Sequence, residues 1–558
     1  MYSTVNIVFF ILVGHFSLSQ CVVYVDTRLG TIKGTTMLSR DGNKFDAFLN
    51  VPYAKPPVGE LRFQNPEPPE PWNGTLDATK YGKKCIQPWL GTIVGSEDCL
   101  HMNIYTPRTK KSENTTKFPI WVFIFGGKKL FGEPAPYKYG PQYIMDKPVI
   151  LITVSYRLGP FGFLSTEDDS ISGNFGLKDE AAALKWIQHH IGAFGGDPSN
   201  VTISGGSSGA IDVNFLLYSP LSNGLFHKAI SQSGLALNSD AIQKPGEARK
   251  LSWKLGNLVG CNTSTLRTSQ ELAKCLKTIP ATQLEKATFK LTHDYILPFM
   301  LFGPVLENKS NKGSFLVEDP CLSIRRPSSI PWMIGGIKDE GSQRVLTLFS
   351  KSSIIDHFER NYLTLLPQYF RYSTFDRAAE VTEVIKARYI GEQKFNESFY
   401  EIASIYGFGN FHLGTIETVS RYRGPVYLYL YDYDNKYAYL KTYLELLATR
   451  TKHKLGAVHG EELISLYYNP LLYPPVLDGN DRIVSDQVVN LWYNFVAYGN
   501  PNGRTDHQLW KPSSPNGLEY LHINNLTLTM KQNYFLGEEY RFWKQIGSPT
   551  LCRTLSNL

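Results

Sequence analysis

A short turn between a predicted strand and a predicted helix constrains the fold of this chain more than any other feature. Residues 201–204 (VTIS) are of the apolar, β-branched type found in buried strands, and residues 210–217 have the composition of a helix. Between them, GGSSG at 205–209 places Ser207 in a G-x-S-x-G motif. Such a turn holds its serine in a strained conformation with the hydroxyl group projecting into a cleft. Glycine- and serine-rich turns are common, but the strand before and the helix after this one favour Ser207 as a nucleophile.

Other segments alternate between strand-like and helix-like patterns. The strand-like runs, which are short, apolar and β-rich, are 120–125, 149–156, 201–204, 332–335 and 426–431. Between two of them, Leu177, Ala181 and Leu184 begin one apolar helix face, which glycines after residue 191 end. This alternation predicts an α/β fold with a central, mostly parallel sheet flanked by helices. In such folds ligands bind beyond the carboxyl ends of the strands.

The N-terminal segment has the pattern of a secretory signal peptide. Residues 7–13 are all apolar and are followed by small and polar residues, and this stretch is too short to span a bilayer. No charged residue precedes it, so a short membrane anchor is the alternative. No later segment approaches the length of a transmembrane helix, and no linker or repeat divides the chain. We therefore expect a signal peptide at 1–20 and one secreted domain at 21–558 without a membrane span.

The cysteines become informative if the chain is secreted, because an oxidising compartment favours disulfides. Cys85 and Cys99 would close one short loop, and Cys261 and Cys275 would close another. The cysteines left over are Cys21, Cys321 and Cys552. An odd number leaves one for a free thiol or for a bond to a second subunit in a homodimer.

Sequons for N-linked glycosylation are spread along the chain. The candidates are Asn73, Asn114, Asn262, Asn308, Asn396 and Asn525. A further sequon at Asn200 is the weakest, because it directly precedes the predicted strand at 201–204, where a glycan has no room.

The charge distribution and the motifs argue against several classes of function. The formal net charge is +7 over 558 residues, and the basic residues are scattered among acidic ones rather than gathered in a stripe. We therefore expect no nucleic-acid partner. The chain has no CxxC pair and no HExxH motif, and we expect neither a metal site nor a cofactor.

Partners for Ser207 lie further along the chain. A serine hydroxyl needs a histidine to remove its proton and a carboxylate to orient that histidine, and with this turn the chain order is serine, acid, histidine. Glu340 follows the predicted strand at 332–335, and His459 lies in the predicted loop LGAVHGEEL. The adjacent Asp339 is an equally suitable acid, so the residues alone leave the choice of acid open.

Four motifs in order carry a resemblance to a known family: FLNVPYA at 48–54, SEDCL at 96–100, YRLG at 156–159 and GNFGLKD at 173–179. With them the chain resembles the type B carboxylesterases, which include cholinesterases and insect juvenile hormone esterases, from about Val23 to the C-terminal end. The resemblance implies an α/β-hydrolase fold and disulfides in both short cysteine loops. It implies a catalytic triad of Ser207, Glu340 and His459. It also implies an oxyanion hole built from the N–H groups of Gly127, Lys128 and Ser208.

Three positions depart from the pattern of that family. Lys128 stands where the family usually has Gly or Ala; it could swing aside, reshape the pocket toward acidic or unusual esters, or impair catalysis. Gly206 stands where the family often has Glu and juvenile hormone esterases usually Gln, which argues against either specialised activity. Trp89 lies in a shorter loop than the one that carries the choline-binding aromatic of cholinesterases, so we disfavour choline esters.

Two functions follow from these observations. The first is a secreted serine carboxylesterase that hydrolyses small-molecule carboxylic esters through an acyl-enzyme on Ser207. The alternative is a catalytically impaired relative that serves as a binding or adhesion protein. Such relatives typically lose triad residues and carry a membrane span, whereas Ser207, Glu340 and His459 are all present here.

Overall fold

A single large sheet runs through the computed structural model of the chain. The structure describes residues 22–89, 91–108, 117–238, 241–291, 300–326, 328–370, 372, 376–436, 455–470, 477–505, 508–524, 526–535 and 537–547. The strands are β1 (Val22–Thr27), β2 (Gly30–Leu38), β3 (Lys44–Pro52), β4 (Thr75–Asp77), β5 (Gln87–Trp89), β6 (Thr92–Val94), β7 (His101–Pro107), β8 (Phe118–Ile124), β9 (Ile150–Val154), β10 (Gly196–Gly206), β11 (Lys228–Gln232), β12 (Trp332–Ile337), β13 (Val426–Tyr431), β14 (Tyr520–Asn524) and β15 (Thr527–Lys531).

The strands pair in the order β1-β2-β3-β7-β9-β8-β10-β11-β12-β13-β14-β15, with β4 beside β2 and with β5 and β6 as a separate hairpin. From β9 to β14 each strand is parallel to its neighbour. At both ends of this block the successive strands of that order are antiparallel, whereas β4 is parallel to β2. A parallel sheet is covered on both faces, which explains why β9, β12 and β13 are buried along their whole length.

Helices cover the sheet and form much of the region beyond its carboxyl edge. They are α1 (Gly159–Phe163), α2 (Phe175–His190), α3 (Ser208–Tyr218), α4 (Glu247–Leu258), α5 (Ser269–Thr278), α6 (Ala281–Thr288), α7 (Pro320–Ser323), α8 (Ser342–Phe349), α9 (Ser352–Tyr369), α10 (Ala378–Tyr389), α11 (Phe399–Gly407), α12 (Leu413–Arg421), α13 (Glu462–Leu466), α14 (Gly479–Tyr498) and α15 (Glu538–Gln545). Within the described ranges, no helix is both long and apolar enough to cross a membrane.

The predicted mostly parallel sheet with flanking helices is confirmed. All five predicted runs are strands, namely β8, β9, β10, β12 and β13, and the predicted helix face is α2. The sequence pattern missed β11, because its buried Ser231 and Gln232 interrupt the apolar run that the prediction depends on. The Ser231 side chain can be buried here because its hydroxyl group donates to the Ala210 carbonyl (3.2 Å) and accepts from Trp332 Nε1 (3.1 Å).

Two disulfides close the short cysteine loops: one joins Cys85 to Cys99 and the other joins Cys261 to Cys275. Cys321 is also disulfide-bonded. Cys21 and Cys552 lie outside the described residues. Four candidate sequon asparagines are exposed: Asn73, Asn262, Asn308 and Asn396. Asn114 and Asn525 lie outside the described residues, and the Asn200 side chain is occupied by bonds to Ala497 and Lys228.

Candidate active site

The turn at Ser207 joins the end of β10 to the start of α3. Ser207 has φ 57° and ψ −126°, a conformation that residues with a Cβ rarely adopt. Its amide donates to the Gln232 carbonyl on β11 (2.8 Å), which fixes the turn to the neighbouring strand. A Cβ on Gly205 would lie 2.3 Å from the Gly209 carbonyl oxygen, and a Cβ on Gly209 would lie 2.3 Å from the Ile124 carbonyl oxygen. Both glycines are therefore required by space, and the turn presents Ser207 at the carboxyl edge of the sheet.

A continuous chain of hydrogen bonds joins Ser207 to His459 and Glu340. Ser207 Oγ lies 2.8 Å from His459 Nε2, and His459 Nδ1 lies 2.5 Å from Glu340 Oε2. The other carboxylate oxygen of Glu340 accepts the Ile337 amide (2.9 Å), so the end of β12 holds the acid in place. Glu340 is fully buried, whereas the His459 side chain is 14 % exposed. The structure thus brings together three residues that are widely separated in the sequence.

The structure also distinguishes Glu340 from the adjacent Asp339. The Asp339 amide donates to the Ala457 carbonyl (3.1 Å), and its carboxylate lies so close to Gly456 that a Cβ there would be 2.0 Å from Oδ2. Asp339 therefore packs against the backbone of the loop that carries His459. Of the two adjacent acids, Glu340 is the one bonded to the imidazole ring.

Burial and charge act in opposite directions on this chain of hydrogen bonds. Burial by itself would lower the pKa of His459, but the charge and the hydrogen bond of Glu340 outweigh it and raise that pKa above its ordinary value. Burial would raise the pKa of Glu340, but the charge and hydrogen bond of His459 hold it below its ordinary value. The pair therefore favours an ionised Glu340 beside an imidazole that is readily protonated.

Two further buried ionisable groups surround the hydrogen-bond chain. Burial, followed by the charge of Glu340, raises the pKa of Glu462 to about 7, and the Tyr429 hydroxyl donates to Glu462 Oε1 (3.4 Å). Burial lowers the pKa of His412 to about 4, and its Nδ1 lies 2.9 Å from the Tyr534 hydroxyl oxygen. Neither group is predicted from the sequence. The HGEEL run was a usable signal for Glu462, whereas His412 lies in a helical segment that carries no motif.

The loop after β8 carries Gly127 and Lys128 past the nucleophile turn. A Cβ on Gly126 would lie 2.8 Å from Ser207 Cβ, so the loop and the turn are in close contact. Gly127 has φ 133°, and Lys128 and Lys129 follow with φ 59° and 60°. A positive φ costs a residue with a Cβ on the order of 1 kcal/mol. Contacts elsewhere must therefore hold the two lysines in this conformation.

Lys128 is half-buried. Its positive charge acts to lower the pKa of His459, in opposition to Glu340, so its ammonium group is within electrostatic range of the ring. The three alternatives for this lysine stay predictions. Ser208, which carries the third predicted N–H donor, is the fully buried first residue of α3.

Trp89 ends β5 in the loop closed by Cys85 and Cys99, and its ring is 42 % exposed. The ammonium groups of Lys84 and Lys138 lie 5.6 Å and 5.2 Å from the ring centroid. Two cations of the protein itself therefore occupy the surroundings of this ring. This supports packing, rather than recognition of a cationic choline ester, as the role of Trp89.

No group of three His, Cys, Asp or Glu side chains within the described ranges is arranged to hold a metal ion.

Known proteins resemble this chain in sequence and in fold. A family model described as "Carboxylesterase family" matches residues 22–543. A juvenile hormone esterase from Tribolium castaneum is 34% identical over 92% of this chain and 89% of its own length, and esterase E4 from Myzus persicae is 33% identical over 90% and 91%. A crystal structure of juvenile hormone esterase from Manduca sexta, with OTFP covalently attached, superimposes with a TM-score of 0.83 at 29% identity and covers 94% of this chain and 99% of its own. The fold is the α/β-hydrolase fold.

Proposed function

The chain belongs to the carboxylesterase family and is a carboxylic ester hydrolase, and from that premise we propose that it is a serine carboxylesterase that forms an acyl-enzyme on Ser207. The observation that carries the proposal is the unbroken chain of hydrogen bonds from Ser207 Oγ through His459 to Glu340. The strained turn supports it, because it keeps the hydroxyl group at the carboxyl edge of the sheet, where substrates bind in this class of fold.

In the first half of the reaction, Ser207 Oγ attacks the ester carbonyl carbon while His459 Nε2 takes the hydroxyl proton. Glu340 stabilises the imidazolium ion that forms. When the tetrahedral intermediate collapses, His459 gives its proton to the leaving alcohol, and the acyl group stays on Ser207. A water molecule then attacks the acyl-enzyme with His459 as general base, which releases the carboxylic acid and restores the serine.

The negative charge on the tetrahedral oxygen needs N–H donors that are already in place. We assign this role to the amides of Gly127, Lys128 and Ser208. Close contact between Gly126 and Ser207 supports the assignment, because it brings the loop after β8 next to the reacting atom. The N-terminus of α3 adds a favourable dipole at the same point.

Labelling with a fluorophosphonate probe tests the proposal directly. The probe phosphonylates an activated serine, so the full-length protein should be labelled at Ser207 and should hydrolyse p-nitrophenyl butyrate. A Ser207→Ala variant should keep its fold and lose both properties. The absence of labelling in the folded parent protein would instead support the alternative of a binding or adhesion protein.

We propose general carboxylic esters, rather than juvenile hormone or choline esters, as substrates. Gly206 lacks the side chain that precedes the nucleophile in the specialised relatives, and a Cβ at this position would lie 2.9 Å from Leu463 Cδ1. Leu463 therefore fills the space that a glutamate or glutamine would need. The kcat/KM value for p-nitrophenyl butyrate should exceed those for butyrylcholine and juvenile hormone III, and a preference for either of these two esters would contradict the proposal.

We also propose that residues 1–20 are a signal peptide and that the protein is secreted as a glycoprotein. The two disulfides and the exposed positions of Asn73, Asn262, Asn308 and Asn396 support this. Expression in insect cells should give a protein in the medium that begins near residue 21 and loses mass with N-glycosidase. Non-reducing electrophoresis of the same sample tests a disulfide-linked homodimer.

A further inference from the structure

A buried ion pair lies directly behind the nucleophile turn. Lys129 Nζ contacts Asp212 Oδ2 on α3, and both side chains are 0% exposed. The same ammonium group donates a hydrogen bond of 2.8 Å to the backbone carbonyl of Ser208. It also lies 5.9 Å and 5.6 Å from the ring centroids of Tyr156 and Phe163. Lys129 therefore connects the loop after β8 to the first turn of α3.

The acidic residues around Lys129 are consistent with one carboxylate paired with its ammonium group. Glu180 on α2 is fully buried beside Asp212, and burial followed by the charge of Asp212 raises the pKa of Glu180 well above its ordinary value. Burial also raises the pKa of Asp212, while Lys129 opposes that rise. Burial therefore favours the protonated form of Glu180, and in that form the Asp212 carboxylate alone balances the ammonium group of Lys129.

The loop is anchored at both of its ends. At its start, the Tyr156 hydroxyl donates to the Phe125 carbonyl (2.7 Å). At its other end, the Lys129 carbonyl accepts the Gly159 amide (2.6 Å), and the Lys129 side chain binds α3. The stretch held between these anchors is 126–128, which contains two of the three N–H groups assigned to the oxyanion.

Stability alone is a poor explanation for such an ion pair. The cost of removing two charges from water commonly cancels their attraction, and well-packed apolar residues often do as well in the same place. Geometry is a better explanation, because small displacements of catalytic groups reduce rates severely. The contact with Ser208 matters most, since that residue contributes the third N–H group.

We propose that Lys129 is a positioning residue for the oxyanion hole: it binds the Ser208 carbonyl from the position next to Lys128 and so holds the three backbone donors in one arrangement. Asp212 balances its charge and aligns it. This inference rests on the proposed function, since it concerns the same oxyanion hole.

The test replaces the pair by neutral residues of similar size. The full-length Lys129→Met/Asp212→Asn variant leaves no unbalanced buried charge from the pair, so it should fold. Its kcat for p-nitrophenyl butyrate, per serine titrated with the fluorophosphonate, should fall about 10- to 100-fold, because the oxyanion donors are displaced but present. KM should change less than about threefold. The affinity for an alkyl trifluoromethyl ketone, which forms a charged tetrahedral adduct with the serine, should fall in parallel with kcat/KM.

A matched control separates positioning from the loss of any buried ion pair. Lys178 Nζ lies 2.6 Å from Glu307 Oε1, and these side chains are 3% and 2% exposed. The Lys178→Met/Glu307→Gln variant therefore removes a similarly buried pair that does not contact α3 through the Ser208 carbonyl. It should lose stability but keep kcat per titrated serine and ketone affinity within about threefold of the parent.

The outcomes distinguish this inference from the proposed function. A parent protein that is neither labelled nor active would overturn the proposed function and this inference with it. An active parent together with a neutral Lys129/Asp212 variant that keeps its kcat and ketone affinity would overturn only the inference. A second neutral pair, Lys129→Leu/Asp212→Val, is made in parallel. If neither pair folds while the control pair does, the cluster serves folding and the positioning role is wrong.

Discussion

The two segments that meet at the proposed nucleophile tolerate backbone strain in different ways. In the turn, Ser207 alone carries a positive φ, and the glycines at 205 and 209 make room for it through contacts within the motif and with β8. In the loop after β8, Lys128 and Lys129 have positive φ in succession, with no glycine at either position. The turn is therefore specified locally by residue type. The loop conformation depends on contacts with distant residues, and we expect the two segments to respond differently to substitution.

Glu340→Gln should have the largest effect on turnover. It changes the hydrogen-bond chain that begins at Ser207 in the turn. A neutral amide cannot stabilise the imidazolium and favours the wrong tautomer of His459, so kcat for p-nitrophenyl butyrate should fall about 10⁴-fold. Asp339→Asn is the control, because Asp339 contacts the loop backbone at Gly456 rather than the imidazole. The kcat of Asp339→Asn should stay within about threefold of that of the parent. Comparable losses of kcat in both variants would contradict the assignment of Glu340.

Glu462→Gln should change the pH dependence of stability. Folding raises the pKa of this carboxyl from an ordinary value of 4.5 to about 7. The protonated form is favoured in the folded state, so the stability that it contributes is present below about pH 4.5 and is lost as the pH rises toward 7. The neutral glutamine avoids that loss. As the pH rises from 5 to 8, the free energy of unfolding of the variant should increase relative to that of the parent by on the order of 2 kcal/mol.

Urea denaturation at both pH values measures this difference, provided that the parent and the variant unfold reversibly. A difference between parent and variant that does not change with pH would show that Glu462 does not titrate between the folded and unfolded states as described.

Lys128→Gly changes the loop after β8 at one of its two lysines with positive φ. Glycine adopts φ 59° without a Cβ penalty, so the free energy of unfolding should rise by about 1 kcal/mol. Lys147→Gly is the control, because Lys147 has φ −109° and should lose stability on the same change. Turnover of p-nitrophenyl acetate by Lys128→Gly tests the alternative of an impaired oxyanion hole: a variant no faster than the parent would exclude that alternative.

Lys128→Met should produce the smallest effect, a shift of the pH profile. The charge of Lys128 acts to lower the pKa of His459, and the general base must be neutral. Removing the charge raises that pKa, so the acidic midpoint of kcat/KM should move to higher pH. High salt should move the acidic midpoint of the parent in the same direction, because it screens the charge of Lys128. A shift to lower pH would show that the ammonium group is not near the imidazole.

The strands with a clear apolar pattern are predicted from the sequence, whereas a strand without that pattern is not. The runs that became β8, β9, β10, β12 and β13 are apolar along their length, which is the pattern of a strand buried on both faces. The polar residues of β11 hid it. Glu340 and His459 were found from chain order and family resemblance, but the residue types could not separate Glu340 from Asp339. Lys129 and Asp212 were not predicted to interact, because a pair of residues far apart in the chain leaves no local sequence pattern.

By itself, the sequence determined the turn at Ser207, since steric limits on the backbone act between near neighbours and only small residues fit beside the strained serine. It also determined the parallel sheet, because burial on both faces requires continuous apolar runs. Only the tertiary structure showed that the Glu340 carboxylate bonds to His459, that the charge of Lys128 acts on the imidazole, and that Lys129 pairs with Asp212. These are contacts between residues far apart in the chain, and their geometry depends on how the sheet and helices pack.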